Sequence, residues 1–427
     1  MLKKIPVHQV RLGMHLHALE GSWMSHPFWK TRFVIRETED LRKLQTSGVA
    51  ECWIDVSLGL DVAAPETDTP TPAAARSGVR RPTARLPAVP ARAEAAAAES
   101  RPAELAERAS LRDEVQQAAA ICRRGREAVV SMFAEARLGK ALDAERCMPL
   151  VEEIANSVQR NPGAIVSLAR LKTKDDYTYM HSVAVCALMV ALGRQLGFND
   201  EQCRQAGFAG LLHDMGKALM PDDILNKPGK LTDEEFDVIR THPERGYRLL
   251  AEAGGVSEQV LDVCLHHHER MDGKGYPNRL TAERITQIAR MGAICDVYDA
   301  ITSNRPYKGG WDPAESVARM ASWQGHFDPA TFQAFVRSLG IYPVGSLVRL
   351  QSQQLAIVVD QNPQALTAPQ VKVFYSLKSQ MPVSPRLIDL ARPGQVDRIV
   401  GREPAEAWQG INLDALWAGD AAPVRKR

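Results

Sequence analysis

The chain has 427 residues, of which 45% are hydrophobic and 24% charged, and its formal net charge is +2. That length allows more than one domain and at least one sizeable core. The near-neutral balance offers no bulk electrostatic reason to bind nucleic acid or an anionic membrane.

The N-terminus, MLKKIPVHQVRLGMHLH, has no apolar h-region, which argues against a signal peptide. Residues 1–62 read as a small N-terminal α+β domain. β-like runs lie at Val7–Leu16, Phe33–Ile35 and Cys52–Val56, with a helix near Glu39–Leu44. Trp23, Phe28 and Trp29 are candidates for its core, and its histidines (His8, His15, His17, His26) lack metal-ligand spacing. Residues 63–102 are rich in Pro, Ala and Arg and almost free of large apolar side chains, the composition of a disordered linker.

Residues 103–340 are patterned as helices. Ile154, Val158, Ile165, Leu168 and Leu171 recur at helical spacing, with a break at Pro162. Tyr177–Leu196 is a strong helix stopped by Gly197, and Gln202–Leu212 is another. The longest apolar run, Val183–Leu192 in the first of these helices, is too short to span a bilayer. Thr232 and Glu235 form a capping box that predicts a helix running to His242 and closed by Pro243. Ser257 caps a helix carrying Cys264 and a histidine run, and Ile285–Ile301 forms a further helix. Residues 341–427 turn β-like, at Leu347–Leu350, Ala356–Val359 and Val371–Tyr375. The expected class is mainly α, with the small N-terminal α+β domain and a short β-rich C-terminal extension. Seven cysteines are scattered without a CxxC pair, several in apolar runs, as reduced thiols of a cytoplasmic protein would be.

Six of the eleven histidines fall between positions 181 and 268, several beside carboxylates. His181 lies on the inward stripe of Val185, Leu188 and Leu192. Asp214, in His213-Asp214, follows an apolar run where an unpaired carboxylate is costly to bury. His242 stands at a proline junction, where a helix C-terminus would also favour it. His267 and His268 continue the stripe of Val260 and Cys264, whereas His266 falls about 100° off His267, on the outer face. Asp296 continues the stripe of Ile285, Ala289 and Gly292, and Asp299 can orient a ligand from behind. Imidazole and carboxylate together suit iron, manganese or zinc. His181, His213, Asp214, His242, His267, His268 and Asp296 are therefore read as one metal-capable cluster. Lys217 one turn on can hold a phosphoryl oxygen, or be a solvated lysine. Asp272-Gly-Lys-Gly-Tyr-Pro277 is a turn by composition, either structural or ligand-facing, and Tyr276 in it can stack on a base.

In order, YTYMHSVAV (177–185), HDMGK (213–217), the isolated His242, HHERMDGKGYP (267–277) and CDVYDAITSNRPYK (295–308) resemble the HD-GYP phosphodiesterases. The resemblance implies an HD-type helical bundle over residues 103–340. It implies hydrolysis of cyclic di-GMP to linear pGpG, or on to GMP, by a hydroxide activated at a dinuclear metal site. By position, one ion takes His181, His213, Asp214 and Asp296; the other takes His242, His267 and His268, with Asp214 bridging. Iron or manganese is the expected pair. Some members hold a third ion through a glutamate where Tyr177 stands here, so two ions are expected. Lys217 and Asp214 carry over as catalytic groups, and Gly275, Tyr276, Pro277, Arg305 and Lys308 as substrate contacts. The loop at 272–277 is also linked to partner binding, by diguanylate cyclases or other signalling proteins. The segment around Val10–Met14 and 21–29 is similar to a domain of unknown function found ahead of such catalytic domains, which suggests regulation or homodimerisation. Two other classes stay open: a weakly catalytic nucleotide-binding signalling module, and a phosphohydrolase of another cyclic dinucleotide.

Overall fold

A computed structural model describes residues 2–19, 33–35, 38–46, 51–61, 111–140, 142–171, 177–227, 229–303, 310–408 and 410–422. It divides into two compact units, residues 1–103 and 104–427. Trp23, Phe28, Trp29, His26, the 63–102 linker, Arg305 and Lys308 lie outside the described residues. None of the described helices is long and apolar enough to cross a membrane.

The first unit contains β1 (Leu2–Pro6), β2 (His15–Leu19), β3 (Phe33–Val34), α1 (Thr38–Thr46) and β4 (Glu51–Asp55). Its antiparallel sheet runs β1-β4-β2-β3. Alternation along β4 buries Cys52 and Ile54 beside Ile5 and Leu16, and Leu44 of α1 joins them. The expected strand at Val7–Leu16 is two separate elements. A 3-10 turn at Val7–Gln9 and a tight turn through Gly13, at φ +89°, separate β1 from β2. Val7, Val10 and Met14 thus enter the core from turns, and an alternating pattern cannot show that.

The second unit is built on helices. In order these are α2 (Leu111–Arg137), α3 (Met148–Arg160), α4 (Pro162–Arg170), α5 (Tyr177–Gln195), α6 (Asp200–Leu212), α7 (Asp222–Leu225), α8 (Asp233–Ile239), α9 (His242–Ala253), α10 (Glu258–His266), α11 (Gln287–Thr302), α12 (Pro313–Ser322) and α13 (Pro329–Leu339). α5 is buried on all sides from Met180 to Gly193, as expected of a helix that is apolar all round, and α2, α3, α4, α6, α11 and α13 surround it. α6 opens with an Asn199/Gln202 capping box. Gly210 lets its last turn approach α5 so closely that a Cβ there would sit 2.9 Å from Val185 O. His213, one residue past α6, is thereby fixed against His181.

The capping box at Thr232 is present, but its helix stops at Ile239 and His242 opens α9. Pro243 does not close a helix; it sits in the first turn of the next, where its missing N–H costs nothing. α10 ends at His266, and His267 is its C-cap. Ser257 occupies the N-cap position of α10 but gives its hydroxyl to Gln205 at 3.0 Å.

The chain then forms β5 (Leu347–Leu350), β6 (Gln354–Asp360), β7 (Gln370–Ser376), β8 (Met381–Asp389) and β9 (Ile399–Arg402), ending in α14 (Leu413–Ala418). The antiparallel sheet order is β8-β7-β6-β5-β9, over a core of Val348, Leu350, Ala356, Val358, Val371, Val373 and Leu390. The two edge strands, β8 and β9, were not evident from the sequence. β8 is largely exposed and carries Pro382 and Pro385, which break its alternation and blunt a sheet edge. All seven cysteines are buried, and none is in a disulfide.

Candidate metal centre

The structure brings His181, His213, Asp214, His242, His267, His268 and Asp296 into one cluster. All but His268 are buried, at 6% exposure or less. Ligand-capable atoms within 4.8 Å of one another define three groups: His181/His213/Asp296, His242/His267/His268 and His213/Asp214/His267.

The backbone sets which ring nitrogens face the cluster. His213 Nδ1 lies 2.7 Å from Gly210 O, His242 Nδ1 2.7 Å from Ile239 O, and His267 Nδ1 3.0 Å from both Val263 O and Cys264 O. A carbonyl can only accept, so each Nδ1 carries a proton and each neutral ring turns a lone pair on Nε2 inward. His242 Nε2 and His267 Nε2 then face each other at 3.3 Å, lone pair to lone pair. His213 Nε2 has no hydrogen-bond partner, and neither has Asp214 Oδ1, although both are buried. Converging lone pairs and an orphaned carboxylate oxygen are the donor set of a cation site, and a divalent transition metal fits it.

Asp214 faces both halves. Its Oδ2 lies 3.3 Å from His213 Nε2 and 3.5 Å from His181 Nε2. Its Oδ1 lies 3.2 Å from His242 Nε2 and 3.8 Å from His267 Nε2. Burial opposes its charge, but the Lys217 ammonium, with Nζ 2.6 Å from Oδ2, holds its carboxyl well below the usual range. Asp296 places Oδ1 2.9 Å from His181 Nε2 and Oδ2 3.6 Å from His268 Nδ1. It too is held ionised against burial, first by the hydrogen bond with His181.

The two sides differ electrostatically. Burial disfavours charge on His181, but hydrogen bonds to Asp296 and Asp299 override it and raise its pKa, so a positive charge at its Nε2 is favoured. On the other side burial dominates: His267 is driven well below its ordinary value and His268 to about 3. Both are neutral imidazoles, the form that ligates metal.

Asp299 stands behind His181, buried, with Oδ2 2.6 Å from His181 Nδ1, and accepts from Ser303 Oγ at 3.2 Å. It fixes the ring's tautomer and orientation. Asp299→Ala should therefore lower turnover and metal affinity about 10–100-fold, with Asp299→Asn restoring part of both in a metal titration. Unchanged affinity in the Ala variant would leave Asp299 without a positioning role. Tyr177 stacks on His181, with ring centroids 5.9 Å apart and planes at 7°.

The 272–277 turn packs against this centre. Tyr276 stacks on His268 at 4.6 Å. Gly275 runs so close to Glu269 that a Cβ would lie 2.5 Å from its Cα. Glu269, buried, accepts from Asn278 N at 2.7 Å and Leu280 N at 3.0 Å and ties the turn to the histidine pair. Glu269 is not among the site residues expected from the sequence; the signal for its anchoring role is an acid directly after an apolar-faced histidine pair. Asp272 receives Arg270 at 2.7 Å and Lys274 N at 3.1 Å, as a turn residue does. His266 points away, bonded to Asp262 at 2.7 Å.

The HD domain family matches residues 151–331, and a domain of unknown function (DUF3391) matches residues 2–147. A cyclic di-GMP phosphodiesterase of Pseudomonas aeruginosa is 54% identical over 420 residues, covering 98% of this chain and 96% of that protein. A cyclic di-GMP phosphodiesterase response regulator of Xanthomonas campestris is 43% identical over 148 residues, 34% of this chain and 39% of that one. A 3′3′-cGAMP-specific phosphodiesterase of Vibrio cholerae is 36% identical over 181 residues, 41% of this chain and 42% of that protein.

Proposed function

This chain belongs to the HD-GYP phosphodiesterases, and from that premise we propose that it hydrolyses cyclic di-GMP at a dinuclear centre held by the seven His and Asp side chains. The observation that carries the two-ion reading is Asp214, whose two oxygens face different histidine sets. His181, His213 and Asp296 would hold one ion and His242, His267 and His268 the other, with Asp214 shared. Iron or manganese suits this all-nitrogen-and-oxygen set. Bound divalent ions supply positive charge for the phosphate oxygens and lower the pKa of water.

The chain's own residues perform the remaining tasks. Carbonyls of Gly210, Ile239, Val263 and Cys264 fix the tautomers, so the Nε2 lone pairs converge without reorganisation. Lys217, with its side chain 21% exposed, extends a cation from Asp214 toward solvent, where it can meet a phosphate oxygen. In the reaction a water oxygen bonds to phosphorus, the bond from phosphorus to the 3′ oxygen breaks, and that oxygen takes up a proton. One cleavage gives linear pGpG.

The test is anaerobic purification, metal analysis and turnover on cyclic di-GMP, 3′3′-cGAMP and cyclic di-AMP, with product identification. Two metal equivalents and preferential formation of pGpG or GMP are expected. Preference for 3′3′-cGAMP would move the assignment to that substrate. Tight nucleotide binding without turnover in the metal-loaded protein would overturn hydrolysis altogether.

A further inference from the structure

α8 carries an exposed aromatic residue and a cation beside the 272–277 turn, and neither has a role in the centre. Phe236 is 46% exposed on this short helix, between the acidic residues Glu235 and Asp237. Arg240, at its C-cap, places Cζ 5.0 Å from the Tyr276 ring centroid and 5.7 Å from that of Phe236. The Phe236 and Tyr276 rings meet edge-on at 6.5 Å. Tyr276 in turn stacks on His268, so the series Phe236, Arg240, Tyr276, His268 runs from solvent to the centre. The Arg240 side chain is 32% exposed, and its carboxylate contact is Asp237 at 3.4 Å, itself 73% exposed. A surface pair of that kind is weak and readily exchanged. The Tyr276 ring already packs against His268 and Arg240, so Phe236 and the Arg240 fork are the more accessible groups at this lip.

We propose that Phe236 and Arg240 form a purine subsite and that Arg240 selects guanine over adenine. The inference rests on the cyclic-dinucleotide reading above and adds the residues that choose the base. A base extends from its phosphate through the ribose. With the phosphate at the His/Asp centre, one base must therefore lie on the surrounding wall. Phe236 offers that base an apolar face, and base–aromatic stacking is tolerant of base identity. Arg240 supplies the discrimination. A guanidinium donates in bidentate fashion to guanine O6 and N7, whereas adenine presents an amino donor where guanine has O6.

Equilibrium binding and turnover of cyclic di-GMP, 3′3′-cGAMP and cyclic di-AMP by wild type, Arg240→Ala, Arg240→Lys and Phe236→Leu test this. Arg240→Ala should weaken cyclic di-GMP binding about ten-fold or more and reduce its preference over cyclic di-AMP by a similar factor. KM should rise with kcat nearly unchanged, and metal content should stay at the wild-type level. Arg240→Lys, which keeps a donor for O6 and N7 but not the planar fork, should recover part of both affinity and selectivity. Phe236→Leu should weaken all three ligands alike. Unchanged base preference in Arg240→Ala, or an equal loss on all ligands, overturns the assignment, as does loss of metal. Binding is measured apart from turnover, so a wild-type protein that binds without hydrolysis overturns the reaction and leaves the subsite still measurable.

Discussion

Asp214→Ala is expected to lose both metal ions and to reduce turnover by more than about a thousand-fold, since each 1.4 kcal/mol of lost transition-state stabilisation costs a factor of ten. The reason is geometric. Asp214 presents Oδ2 to His181 and His213 and Oδ1 to His242 and His267, so its loss takes a carboxylate oxygen from both sides of the centre at once. Its removal also leaves Lys217 beside converging histidines with no carboxylate between them, so the residual electrostatics repel a cation. Asp214→Asn separates charge from shape: it fills the same volume and should fold with a thermal midpoint near wild type, yet fail to hold two ions. Metal analysis of both variants provides the check, with His266→Ala as the neighbouring control. His266 points to Asp262 and Asn278, so that control should keep its full metal complement. Two ions and normal turnover in Asp214→Ala would eliminate the shared-carboxylate arrangement.

Part of this cluster was legible because helical periodicity reports direction: His266 separates from His267, and the structure turns His266 to Asp262 and buries His267. His181 and Asp296 are buried as their stripes suggest, but α5 and α11 are buried on nearly all sides, so for these two the stripe discriminates little. Adjacency of helices was not legible. Pro243 is compatible with closing one helix or opening the next, and the sequence contains no term to decide between them; packing of the α9 N-terminus on Gly216 does. The roles of Glu269 and Arg240 were hidden for a related reason. Each acts across a fold-imposed contact, Glu269 on backbone N–H groups 9 and 11 residues away and Arg240 on a ring 36 positions further on. In the first unit, buried turn residues such as Val10 and Met14 imitate a strand. Edge strands β8 and β9 have little apolar alternation to report, because most of their side chains face water.

The same α9 contact makes Gly216→Ala the second large effect. At most exposed helical positions this change is stabilising by up to about 1 kcal/mol. Here the sign reverses. A Cβ at Gly216 would lie 1.9 Å from His242 O and 2.6 Å from Gly246 N, both backbone atoms that cannot rotate aside. Gly246 reciprocates, its own Cβ position lying 2.8 Å from Gly216 N and from Cys264 Sγ. The 3-10 turn after Asp214 and the first turn of α9 are therefore in near contact, which brings His242 Nε2 to 3.2 Å from Asp214 Oδ1. Inserting a methyl group should push α9 outward and destabilise the unit by about 1–3 kcal/mol, the usual cost of overpacking. The displaced helix carries His242 at its first turn, so the His242/His267/His268 side should lose its ion first. Metal titration should find one tight equivalent where wild type has two, with a lowered thermal midpoint. A variant with two tight equivalents and an unshifted midpoint would mean that this backbone contact does not set the spacing of the centre.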